Sequence, residues 1–258
     1  FGNLRTTGKK GFRTDRLEQD DVVKNGWRHY WNLEPVNLAP HFEAYLWACY
    51  FWAYDKTHFQ PFLSRSIAGI QATISTNPAK WRWGGGTIEL SRMLLPLAWL
   101  VRVQDTVEHR RWLADMAERL IAWQDESGAL EERLSTDKDY FGAPQSNEEY
   151  GTTETPIIQQ NGDPLADMLY SCNFAFLGLN EAYCATNEPK YKAACDKLAQ
   201  FLCRIQIRSQ GHGELNGGWF RAFDFRNWDY WGSNGDAGWG AWAIESGWTV
   251  TWISSVME

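Results

Sequence analysis

Apolar residues recur with a helical period through most of the chain. Between Thr106 and Trp123 they fall at Trp112, Leu113, Met116, Ala117, Leu120 and Ile121, with Glu108, Arg110, Arg111, Asp115, Glu118 and Arg119 on the other face. The same amphipathic pattern runs from Glu188 to Ile207, with Asn187 as the expected N-cap and Pro189 in the first turn, and more weakly from Thr57 to Ser75. Before each of these lies a segment that is apolar on nearly every side: Ala39 to Tyr54, Ile88 to Val103 with an expected kink at Pro96, and Pro164 to Ala185 with Asp163 as its cap. The joins are short and supply caps: Asp55-Lys56-Thr57, Gln104-Asp105-Thr106 and Thr186-Asn187-Glu188. A last all-round apolar segment, Ala237 to Val256, opens a fourth unit.

This repeat of buried helix, tight turn and amphipathic helix predicts an all-α fold. Buried helices form an inner ring, amphipathic ones an outer ring, and the whole of residues 1–258 makes one domain behind an extended segment 1–36. In such a ring the short turns share one end and the long connections the other. The long connections are Lys80 to Thr87, Asp125 to Gly162 and Ser209 to Asp236, with the segment before Ala39. Loops of this length are more often functional than idle.

Composition narrows the function. A net charge of -7 and a pI near 5.3, with no Lys/Arg cluster, argue against a nucleic-acid or anionic-membrane partner. No apolar run is long enough to span a bilayer. The start, Phe1-Gly2-Asn3, carries neither an initiator Met nor a signal peptide, as expected of a mature or trimmed piece of a longer protein. The 5 cysteines and 5 histidines show no disulfide, zinc or HExxH spacing, so buried thiols and no metal or cofactor are expected.

The aromatic content is the outlying feature: 16 Trp, 10 Tyr and 13 Phe. No Trp occurs between Trp123 and Trp219, and then Trp219, Trp228, Trp231, Trp239, Trp242, Trp248 and Trp252 follow closely. Trp99, Trp112 and Trp123 read as helix packing. The loop tryptophans share the long-connection end with carboxylates and arginines, and that combination suits sugars, whose C–H faces stack on indoles while their hydroxyls hydrogen-bond. Glycosidic cleavage further needs one carboxyl to protonate the leaving oxygen and another to activate water or attack the anomeric carbon.

Position selects candidates. Glu89 follows Trp81-Arg82-Trp83-Gly84-Gly85-Gly86, where the glycines are expected to let the backbone approach a ligand at a helix N-terminus. Asp236 precedes the last inner helix, and Asp224 lies in Arg221-Ala222-Phe223-Asp224. Glu89, Asp236 and Asp224 are the expected catalytic carboxylates. Trp81, Trp83, Trp219, Trp228, Trp231, Trp239 and Glu245 are the expected sugar contacts, with Arg82 and Arg221 for a substrate carboxylate.

The repeated helical hairpins, with Gln124-Asp125-Glu126-Ser127-Gly128 and Gln206 through Gly218 after outer helices, resemble the (α/α) toroids of six-hairpin glycosidases. Asn161-Gly162-Asp163-Pro164, Asn173 through Leu179, Trp219 through Asp224 and Tyr230 through Asn234 resemble glycoside hydrolase family 154. The resemblance implies β-glucuronidase activity on a polysaccharide and a secreted or periplasmic enzyme. It covers about the last hundred residues well, and the chain shows about seven helices where a complete toroid has about twelve. The resulting expectation is a toroidal hydrolase that removes a terminal uronic acid. The alternatives are a lyase on the same scaffold with His41 or Tyr30 as base, or a non-catalytic carbohydrate-binding module; an isoprenoid cyclase lacks its aspartate-rich motif.

Overall fold

The computed structural model describes residues 19–26, 28–29, 40–81, 83–134, 157–232 and 249–258. Within them the helices are α1 (Gln19–Asn25), α2 (Pro40–Thr57), α3 (Gln60–Ile74), α4 (Thr87–Val103), α5 (Val107–Ile121), α6 (Asn173–Thr186), α7 (Pro189–Ile205) and α8 (Thr251–Met257). Three hairpins, α2/α3, α4/α5 and α6/α7, carry the expected division of labour. Helix α4 packs on α2 and α6 as well as on its own partner α5, and α6 packs on α7 and α8. The chain therefore forms an all-α toroid-type array, with α2, α4 and α6 inside and α3, α5 and α7 outside; α8 packs on α6 and buries only Ile253, where an inner helix buried all round was expected.

Small residues set how closely these helices approach. A Cβ on Gly178 of α6 would lie 2.6 Å from the Cβ of Leu94 and 3.1 Å from the carbonyl of Ser91, both on α4. One on Gly69 of α3 would lie 2.9 Å from the indole nitrogen of Trp47 on α2. Around these contacts Leu90, Met93, Leu94, Leu97, Leu100, Leu179, Leu198 and Phe201 are sealed from solvent. Helix α4 runs through Pro96 as a single element.

The short turns differ in detail from expectation. Thr106 caps α5 by accepting the amide of His109, as its sequence position implies. Asn187 does not cap α7. It adopts a left-handed conformation, φ 59°, that ends α6, and Glu188 takes the N-cap position without a side-chain bond. At the first turn Thr57 closes α2, and its hydroxyl accepts the amide of Phe59.

The larger correction concerns Pro164 to Ala185. Helix α6 begins only at Asn173, because residues 165–172 are committed elsewhere: β1 (Leu165–Asp167) is followed by a wide helical turn, Met168–Cys172. Asp163 accepts the amides of Gln159 and Gln160 in the preceding loop and caps no helix. Strands β2 (Ala222–Asp224) and β3 (Asp229–Tyr230) complete a small antiparallel sheet in the order β1-β2-β3, with Asp167 opposite Ala222 and Leu165 opposite Asp224. Of the cysteines, all free, only Cys172 and Cys195 are buried; Cys49, Cys184 and Cys203 lie on exposed helix edges. Among the described residues no helix is long and apolar enough to cross a membrane.

Candidate active site

The long connections are stitched together by backbone hydrogen bonds where inner helices begin. The amide of Thr87, at the start of α4, donates to the carbonyl of Arg133, and the Thr87 hydroxyl bridges Glu131 and Arg133. The amide of Glu132 donates to Leu165, and that of Met168 to Arg221. Four chain segments distant in sequence thus form one layer, with Leu134, Ile157, Ile158, Leu165, Ala222 and Trp83 as a small apolar cluster of their own.

Glu89 is fully buried in this layer, yet its carboxylate reaches back to accept the amide of Gly85 at 2.9 Å, covering the N-terminus of its own helix. The glycines serve the fold as well. Gly84 and Gly85 have φ of 64° and 76°, and a Cβ on Gly86 would strike the carbonyl oxygen of Arg133 and sit 2.6 Å from that of Leu134. What approaches this turn is the chain's own backbone, where a ligand was expected. Asp224 is likewise a turn builder: one oxygen accepts the amides of Arg226 and Asn227, and the other the side-chain amide of Asn227.

The tryptophans divide. Trp81 and Trp219, expected in subsites, are buried, and their indoles donate to the carbonyls of Thr73 and Leu202, in the last turns of the outer helices α3 and α7. They satisfy helix-end carbonyls that would otherwise lack partners. Trp83 packs on the small apolar cluster, with its ring 6.1 Å from that of His41, and the Trp231 indole donates to Ile157 beside the same cluster. Trp228 sits elsewhere, against Phe201 of α7. Arg82, Asp236, Trp239, Glu245 and Tyr30 lie outside the described residues.

A different group of ionisable side chains converges here. Asp167, at the end of β1, accepts the amides of Leu169 and Tyr170 and lies 3.4 Å from the guanidinium of Arg221. Beside it Glu132 is buried and accepts the hydroxyl of Ser171. Burial, and then the neighbouring charge of Asp167, push the Glu132 carboxyl up to about 8, against the opposing pull of Ser171 and Arg221. Burial and the adjacent acid thus favour the protonated form of Glu132. The same burial and the two acids raise the Cys172 thiol far above its ordinary range.

Arginines frame the group. Arg221 lies over the ring of Tyr170 at 5.2 Å, and Arg92 of α4 lies over it at 5.8 Å and over Phe174 at 4.0 Å. Arg92 also donates to the backbone carbonyl of His41. Phe174 continues into a stack of Tyr45 on Trp252, ring centres 5.4 Å apart, so α2, α6 and α8 meet beside Arg92. Tyr170 and Arg221, the latter 12% exposed, form the more open side of the cluster above Glu132 and Asp167. Of this group only Arg221 was anticipated. Arg92 had a signal, a cation in the middle of a mostly apolar helix, which burial obliges to find partners. Among the described residues no group of His, Cys, Asp and Glu has metal-binding geometry.

No protein-family model and no curated protein sequence matches the chain. Solved structures do match in fold. A D-mannose isomerase is similar with a TM-score of 0.52 and 16% identity, over 80% of this chain and 48% of that one. An inactive variant of the α-1,6-mannanase GH76A of Salegentibacter sp. HEL1_6, in complex with an α-1,6-mannotetrose, is similar with a TM-score of 0.51 and 9% identity, over 75% and 50%. The unsaturated glucuronyl hydrolase of Bacillus sp. GL1 is more distant, with a TM-score of 0.46 and 14% identity, over 72% and 41%. The chain thus spans about half the length of the first two. These likenesses show the toroid-type fold.

Proposed function

We propose that the protein is a carbohydrate-active enzyme, specifically a glycoside hydrolase that removes a terminal uronic acid, of the β-glucuronide kind, from an acidic oligosaccharide or polysaccharide outside the cytoplasm. The observation that carries this reading is the Glu132–Asp167 pair, two buried carboxyls brought together where the inner helices α4 and α6 begin, Glu132 against the Ser171 hydroxyl and Asp167 against Arg221, with burial pushing the Glu132 carboxyl up. A carboxylic acid that keeps its proton at neutral pH is suited to protonate a leaving glycosidic oxygen. Asp167, fixed by two backbone amides and paired with Arg221, is suited to stabilise positive charge developing on the sugar. Asp236 is kept as a candidate for the water-activating carboxylate. Arg221 and Arg92, flanking Tyr170, supply guanidinium groups for a uronate, and Trp83 and Trp231 an aromatic border. A toroid that binds a mannotetrose in GH76A, and one that acts on mannose in the isomerase, add support.

The test is turnover of p-nitrophenyl β-glucuronide beside aryl glycosides of neutral sugars. Glu132→Gln keeps the shape of the protonated acid and removes its proton, and is expected to lower kcat by roughly 10²–10⁴-fold with folding retained. The wild-type rate is expected to fall as pH rises through about 8. No product absorbing in the ultraviolet is expected; one would instead mark the lyase chemistry assigned to His41 or Tyr30. Undiminished turnover by Glu132→Gln, or activity on neutral sugars alone, rejects the reading.

A further inference from the structure

The β2–β3 hairpin leads away from the candidate active site. Ala222 faces Asp167, whereas Asp224 faces Leu165, and the hairpin turn lies beyond Asp224, about 7 Å of strand from Ala222. There the turn meets the last turn of the outer helix α7 and encloses a groove of about 620 Å³ lined by Arg204, Gln206, Arg208, Trp228, Asp229 and Tyr230. That volume lies within the range of roughly 300–1,000 Å³ of small-ligand sites.

Trp228 is the notable wall of this groove. Its φ is 58°, a left-handed conformation that bulky residues rarely adopt, and it is 43% exposed. The surroundings hold it there. Phe201 and Phe223 meet its ring edge to face, at 6.0 and 5.3 Å, the Arg204 guanidinium lies over it at 4.9 Å, and Asp224 ties the preceding turn. Arg204 is itself anchored to the carbonyl of Ser127. The outcome is a restrained, part-exposed indole with the Arg204 guanidinium over its ring and Arg208 on the same groove wall. On a protein with a net charge of -7, the cations Arg204 and Arg208 outnumber the single acid lining the groove, Asp229. A fixed aromatic residue with neighbouring guanidiniums matches a sugar ring bearing a carboxylate, while the Gln206 amide and the Tyr230 hydroxyl donate to the carbonyls of Gly217 and Ile205 and so brace the groove wall.

We propose that this groove is a second carbohydrate-binding site, separate from the Glu132–Asp167 cluster, that takes an acidic oligosaccharide and so holds a polymer while its end is processed. The choice of ligand rests on the functional reading above. The site itself rests on the groove and the restrained Trp228.

The experiment is isothermal titration calorimetry of the full chain with a short oligogalacturonate and, separately, a neutral mannan oligosaccharide. Wild type is expected to bind the acidic probe more tightly than the neutral one, and Trp228→Ala and Arg208→Glu each to weaken that binding by roughly tenfold. Arg208 is exposed, so its replacement leaves folding intact should Trp228→Ala disturb it. Turnover of p-nitrophenyl β-glucuronide by Arg208→Glu is expected to equal wild type, since Arg208 is no part of the Glu132–Asp167 cluster. Absence of turnover in wild type would count against the hydrolase reading and leave the binding result intact. No binding by wild type, equal affinity for the neutral probe, or unchanged affinity in both variants overturns the proposal.

Discussion

The two ends of the helical array are built on different principles. At the short-turn end every closure is local: Thr57 bonds Phe59, Thr106 bonds His109, and a left-handed Asn187 turns α6 into α7. At the long-connection end the bonds join segments far apart in sequence, Thr87 to Arg133, Glu132 to Leu165 and Met168 to Arg221, and they enclose a buried acid, an ion pair whose carboxylate is buried, and two guanidiniums over one tyrosine ring. One end is assembled from inexpensive local signals. The other carries desolvated charge that only the completed fold can satisfy, and such placement is characteristic of sites that do chemistry.

Substitutions can break this contrast, and the largest effect is expected at Arg221. Arg221→Leu leaves Asp167 buried without its guanidinium and is expected to cost about 3–5 kcal/mol in denaturant unfolding. A loss below about 1 kcal/mol would show the cluster to be solvated, like an ordinary surface pair.

The next effect is on pH. Because the folded-state pKa of Glu132 is raised from 4.5 to about 8, the folded protein holds a proton there that the unfolded chain has released. Its contribution to stability is full below about pH 4.5 and is lost as pH rises through about 8, at up to about 1.4 kcal/mol per pH unit. Glu132→Gln is expected to remove that slope, making the variant the more stable form at alkaline pH. Unfolding curves of both proteins across this interval check it.

Gly86→Ala drives a methyl group into the backbone of 133–134 and is expected to cost about 1–3 kcal/mol. Thr106→Ala, at the opposite end, removes one cap and is expected to cost about 1 kcal/mol without changing turnover. Equal costs, or a loss of activity in Thr106→Ala, would erase the distinction between the two ends.

The same contrast explains what the sequence discloses. Helical periodicity, Thr106 and the alternation of all-round apolar with amphipathic segments are local signals, and they locate the three hairpins and the inner and outer layers. Pro164 misleads because it suits a first helical turn equally well before a strand, and pairing of Leu165–Asp167 with residues 222–224 decides the outcome from a distance. Glu132 and Asp167 stand in no recognisable spacing. Their proximity follows from the layer of long-range hydrogen bonds, to which a local pattern is blind. Trp81 and Trp219 were legible as unusual but not as helix-end donors, since that role depends on which carbonyl each indole meets. Asp224 resembled a catalytic acid in sequence, and its own turn claims both its oxygens.

The central claim is that burial and Asp167 raise the Glu132 carboxyl far above the ordinary range of a glutamate. The most direct measurement is a titration of its carboxyl, by infrared or carbon-detected NMR difference between wild type and Glu132→Gln. The expected midpoint is about 8. A midpoint at the ordinary value of 4.5 would contradict the claim and remove the general acid from the long-connection end.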